Sequence, residues 1–105
     1  MEVSKSDWKL FREKIGEWQE KYMAKLCEEY VELLQRTDCN PSDNFWDLEK
    51  RIYQDKKKPG VRLELRKGDV YWNIAKLIHD GAIAFDDLDD FSDDLKDVVN
   101  LILSR

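Results

Sequence analysis

Seven aspartates stand in the thirteen positions of FDDLDDFSDDLKD, residues 85 to 97, with Lys96 the single opposing charge. Carboxylates at that density can hold a hard cation, fill a protein groove built for phosphate, or sit wet at the start of a helix. A calcium loop of the EF-hand kind needs oxygen ligands at alternate positions, glycine at the sixth and glutamate at the twelfth. Counting from Asp87, the fifth position is Phe91; from Asp89 the third is already Phe91. From Asp90 the third and fifth, Ser92 and Asp94, fit, but the sixth is Leu95 and the twelfth Leu101. The pattern fails in every register. On a continuous helix Asp86, Asp89, Asp90, Asp93 and Asp97 fall towards one side, away from Leu88, Phe91, Leu95 and Val98, and such a row could imitate nucleic-acid phosphate. Helix capping accounts for Asp93 and Asp94, but not for Asp89, Asp90 and Asp97.

The opposite charge gathers in residues 50 to 67, where Lys50, Arg51, Lys56, Lys57, Lys58, Arg62, Arg66 and Lys67 are interrupted by Asp55 and Glu64. Tyr53 and Trp72 are near enough in sequence to offer stacking faces to a nucleic acid. A net charge of −5 and a pI near 4.9 work against that use, and a solvated helix end paired with acidic neighbours is the plainer reading. The separation of a basic middle from an acidic C-terminal part makes a dipolar chain suited to steering a charged partner.

Catalytic chemistry has little to work with. His79 is the lone imidazole and falls at a helix end before Asp80 and Gly81, where the helix dipole favours it. Neither a phosphate-cradling glycine loop nor a nucleophile spaced to that histidine is present. Cys27 and Cys39 are too few and too far apart for a disulfide framework or a redox pair, and with one histidine they make no zinc set. The expectation is no enzyme, no cofactor and no metal.

These residues need elements to hold them. From Ser6 onward Trp8, Phe11, Ile15, Trp18, Tyr22, Leu26, Tyr30 and Leu33 recur at steps of three and four, the stripe of a long first helix capped by Ser6. TDCNP breaks it, and Ser42 or Asp43 caps a second helix whose predicted buried side is Phe45, Leu48 and Ile52, with Trp46 and Tyr53 beside them. Pro59-Gly60 stops that helix, and VRLELR alternates as a short extended segment over residues 61–65 would. Gly68-Asp69 opens a third helix that Gly81 closes, and Ser92 splits the last apolar series into a turn and a final helix. The fold class read from this is all-α, one domain of 105 residues with four to five helices.

A first helix of roughly thirty residues spans about 45 Å, against a radius of gyration near 13 Å for a compact domain of this length. The predicted outcomes are a bend at Gly16 or a second chain over the excess stripe, a homodimer through the first helix. No stretch approaches the ~20 apolar residues of a membrane span and the first residues have no leader pattern, so the expected setting is cytoplasmic.

The runs FWDLEKRI, KKKPGVRLELRK, IAKLIHDGAI and FDDLDDFSDDLK are similar to those of small uncharacterised proteins of Firmicute bacteria, some of which carry a multidrug-transporter label. The resemblance extends over residues 7 to 105. It implies a bacterial, cytoplasmic setting and supplies no catalytic or binding residues, and the transporter label conflicts with the lack of an apolar span. The functional expectation is a small acidic protein that binds another protein, with Asp86, Asp89, Asp90, Asp93 and Asp97 as one contact pole and Lys56, Lys57, Lys58, Arg62 and Arg66 as the other. The alternatives are an inhibitor that mimics nucleic acid and a regulator that binds nucleic acid through the basic segment.

Overall fold

The stripe on the first helix meets its cover in two stages along its length. The computed structural model describes residues 2–105, and its helices in chain order are α1 Lys5–Leu34, α2 Pro41–Asp55, α3 Val70–His79 and α4 Asp93–Leu103. Short 3₁₀ turns at Lys67–Asp69 and Phe85–Leu88 precede α3 and α4. The fold is all-α, and among the described residues there is no strand. The VRLELR segment has no regular structure: a lone extended stretch lacks a neighbour to complete its hydrogen bonds, so it tucks Val61 and Leu63 partly inward and leaves Leu65 outside.

α1 runs without a break through Gly16, where an added Cβ would meet nothing within 4 Å. The molecule measures 51 × 26 × 20 Å, elongated as its thirty-residue helix requires. Phe11, Ile15 and Trp18, in the N-terminal half of α1, enter the main apolar core with Val70, Ile74 and Leu77 of α3 and with Leu95 and Val99 of α4. Trp18 anchors this core, with ring centroids 6.2 Å from Phe11 and 6.1 Å from Phe91, the second contact reaching the segment before α4. Tyr22 and Leu26, further along, are also buried, whereas Trp8, Tyr30 and Leu33 are half-buried. The stripe is thus covered within the chain over most of its length.

The cap of α1 is Ser4 rather than Ser6: the Asp7 backbone N–H donates to Ser4 Oγ at 3.1 Å. Asp7 settles the choice, because its carboxylate is 4% exposed and takes both the backbone N–H of Ser92, at 3.0 Å, and the Ser92 hydroxyl, at 2.5 Å. Ser92 Oγ in turn accepts the Leu95 N–H at 3.2 Å, so one serine caps α4 and ties it to the start of α1. The cap of α2 is Asn40, ahead of Pro41, not Ser42 or Asp43; the Asp43 carboxylate accepts the Asn40 N–H at 3.1 Å instead. Gly81 closes α3 at φ +80°, with Ala82 N–H bonded to Leu77 O and Gly81 N–H to Ile78 O. That pairing is a Schellman ending, which needs the left-handed conformation glycine adopts freely.

Candidate interaction surface

α2 returns antiparallel to the C-terminal half of α1 after a short turn, and it docks through polar side chains. Its two buried residues are Asn44 and Asp55. With Asp47 and Arg51 between them they lie at steps of three and four, a stripe of the same period as an apolar one. At the N-terminal end of α2, Arg36 donates to Asn44 Oδ1 from Nε at 3.0 Å and from a terminal nitrogen at 2.8 Å, and reaches Asp47 at 2.9 Å. Asn44 Nδ2 donates back to Arg36 O at 3.1 Å, which pins the turn. At the other end the Tyr30 hydroxyl donates to Asp55 Oδ2 at 2.5 Å, Lys58 lies 3.2 Å from Oδ1, and Arg51 bridges Asp55 at 3.5 Å to Glu29 at 2.9 Å. Burial works to raise the Asp55 carboxyl's pKa, but the Tyr30 and Lys58 hydrogen bonds and the charges of Lys58 and Arg51 outweigh it, leaving Asp55 below the usual carboxylate range. Burial and the bond to Asp55 push the Tyr30 phenol well up. Just beyond, the Pro59 carbonyl accepts from Gln19 at 2.9 Å, and Gly60 sits so close to the Tyr22 ring that a Cβ there would approach within 2.5 Å.

Because the polar stripe faces inward, the apolar side of α2 faces outward. This overturns the expected burial of Phe45 and Ile52: they are 60% and 43% exposed, Leu48 is half-buried, and Trp46 and Tyr53 are 63% and 52% exposed. Amphipathic spacing is satisfied either way round, and the ion pairs to Glu29 and Arg36 with the Tyr30 hydrogen bond decide which side turns in. Phe45, Leu48, Glu49, Ile52, Tyr53 and Lys56 line a shallow depression of about 280 Å³ on this face. Phe45 and Trp46 pack edge to face with centroids 5.0 Å apart, and Lys56 and Lys57 lie 5.3 and 3.9 Å from the Tyr53 ring. Val31 and Leu34, near the C-terminal end of α1, are also exposed, at 52% and 49%.

The basic pole is partly spent inside the molecule. Lys58 is bound to Asp55, and Arg66 is paired with Glu64, while Lys56, Lys57 and Arg62 are exposed. The acidic pole is divided rather than continuous, because Ser92 is extended at ψ 156° between the 3₁₀ turn and α4. Asp86, Asp89, Asp90, Asp93 and Asp97 are all exposed. Asp90 lies 3.6 Å from Lys14 and borders the cleft beside the start of α1, Asp93 lies 3.9 Å from Lys96, and Asp97 borders a different depression with Tyr71 and Leu101. Asp87 accepts the Ala84 N–H at 2.7 Å, an additional local cap. Among the described residues no ion pair joins the acidic and basic poles.

Cys27 and Cys39 are free thiols, and the Cys39 thiol lies 3.1 Å from Asn44 Oδ1. His79 is exposed at the end of α3, 3.5 Å from Asp80. Among the described residues no group of three or more histidine, cysteine or acidic side chains is placed to hold a metal ion, and no helix is long and apolar enough to cross a membrane. No protein-family model, curated protein or solved structure matches the chain.

Proposed function

We propose that this protein works by binding another protein, without catalysis of its own, and that the outward face of α2 is the contact. The observation that carries the reading is that a helix in an acidic, highly charged chain turns Phe45, Trp46, Ile52 and Tyr53 to solvent while spending its polar side chains on the seam with α1. At roughly 150–250 Å² for each large side chain, the exposed fractions amount to about 450 Å², within the range of the largest apolar patch on a typical monomer, a patch that often has a function. Exposed Lys56, Lys57 and Arg62 supply a charged rim, an arrangement of apolar centre and polar margin common to protein contacts.

Imitation of nucleic acid draws less support, since the aspartates fall on two segments and border different clefts. Nucleic-acid capture by residues 50–67 draws less as well, since Arg51, Lys58 and Arg66 are engaged with carboxylates of this chain. A photoreactive phenylalanine analogue in place of Trp46 tests the proposal in cells that make the protein. A covalent adduct with a protein, lost when Ile52→Asp is added, is the expected result; an adduct indifferent to Ile52, or none, sinks it.

A further inference from the structure

Glu49 and Lys56 stand two helical turns apart on the exposed apolar strip of α2, in line with Phe45 and Ile52, and both border the same depression. Near them Asp47 is paired with Arg36, Arg51 with Glu29 and Asp55 with Lys58, while Lys50 and Lys57 have no ion-pair partner among the described residues and Lys57 lies over the Tyr53 ring. Among the described residues Glu49 and Lys56 make no ion pair. An unpaired carboxylate and an unpaired ammonium at fixed separation on an apolar ridge are self-complementary. When two such ridges meet antiparallel about a two-fold axis, each Glu49 comes opposite the partner's Lys56, and the pairing occurs twice for one geometry.

We infer that the occupant of this face is a second copy of the same chain, the two α2 helices crossing antiparallel with the axis beside Ile52 and Tyr53. The inference rests on the reading of α2 as the contact face and names its partner. In this arrangement Ile52 packs against the partner's Tyr53, and the Glu49 pairs flank the apolar centre on both sides. The exposed apolar surface of α2, about 450 Å² from its four large side chains, is more than half of the ~800 Å² per partner of a standard interface before Leu48 and the charged rim are included. The position of Glu49 also argues against a lipid surface: an acyl layer would have to take an unpaired carboxylate into its boundary, whereas a second copy offers it an ammonium.

The experiment is sedimentation equilibrium of the full chain over a wide concentration range, with circular dichroism to confirm that each variant is folded. The wild type should associate to twice the chain mass. Glu49→Lys and Lys56→Glu should each weaken association by about tenfold or more, since each converts two attractive contacts into two repulsive ones. The double variant Glu49→Lys with Lys56→Glu should restore it, an outcome a merely structural role for either residue would not give. A wild type that stays monomeric throughout, or a double variant no better than the singles, overturns the second copy as occupant. If the chain is monomeric but the photoreactive group at position 46 still captures a different protein in cells, in a manner that depends on Ile52, only the self-association falls. If it captures nothing, the contact reading of α2 falls with it.

Discussion

Replacing Asp55 with asparagine keeps the shape of the side chain and removes its charge from the seam between α1 and α2. The carboxylate accepts the Tyr30 hydroxyl at 2.5 Å and meets Lys58 at 3.2 Å. An amide oxygen can still accept from Tyr30, so what is lost there is the difference between a charged and a neutral bond, about 1 kcal/mol. Lys58 is left without an anionic partner, and losing that contact adds about as much again, for a total of about 2 kcal/mol at neutral pH. Because α2 is joined to the rest of the molecule mainly through this seam, the cost should appear as local opening, with amide exchange over residues 41–55 faster by roughly thirtyfold and the core of α3 and α4 little changed. The sign of the pH dependence follows from the direction of the shift. Asp55 titrates below its unfolded value of about 3.9, so its contribution is fully present above that value and is lost as pH falls through the lower folded value. Exchange measured by mass spectrometry should therefore separate wild type from Asp55→Asn by a constant amount from pH 7 to about pH 5, and the two should converge below about pH 4. Equal protection of residues 41–55 at neutral pH, or a gap that widens in acid, would refute the account of the seam.

Other substitutions probe separate parts of the argument. Gly60→Ala drives a Cβ to within 2.5 Å of the Tyr22 ring and should lower the thermal midpoint, while Gly16→Ala, with open space around it, should gain about 0.5–1 kcal/mol of stability in thermal melts. Asp7→Ala leaves the Ser92 N–H and hydroxyl without their acceptor and should cost about 2–3 kcal/mol in urea unfolding, more than Ser4→Ala, which removes a single cap. Phe45→Ser with Ile52→Ser, measured at concentrations too low for association, should change stability by less than about 1 kcal/mol, since neither side chain is part of the core. A loss of several kcal/mol there would restore the buried reading of that face.

The sequence carries the elements of this fold more plainly than it carries their orientation. Apolar spacing along α1, the glycine ending of α3 and the break at Ser92 are local signals with counterparts in the structure, whereas α2 ends at Asp55, ahead of the stop expected at Pro59-Gly60. The side of α2 that turns inward is not a local matter. Phe45, Leu48 and Ile52 announce an amphipathic helix, but Asn44, Asp47, Arg51 and Asp55 repeat with the same period, and the contest is decided by Glu29 and Tyr30 on α1 and by Arg36 in the turn after it. A search for polar stripes with complementary partners on the preceding helix would have found this. The choice of Ser4 over Ser6 is likewise settled from afar, by an Asp7 contact that spans 85 positions of sequence. Of the two charged poles, sequence shows the composition but not the engagement of Lys58 and Arg66 within the chain or the division of the aspartates at Ser92.

The two ends of α1 are secured by different physics, and they should respond to different solvents. Around Phe11 and Trp18 the cover is hydrocarbon, so opening that end exposes apolar surface, with a large heat-capacity change and a steep response to urea. Along Asn44 to Asp55 the seam is largely hydrogen bonds and charge pairs, so lifting α2 away wets less hydrocarbon than opening the other end, although Tyr22 and Leu26 are buried in this half of α1. That motion should respond less steeply to urea than opening of the other end and more to ionic strength, making salt the control by which one end of the molecule loosens while the other stays closed.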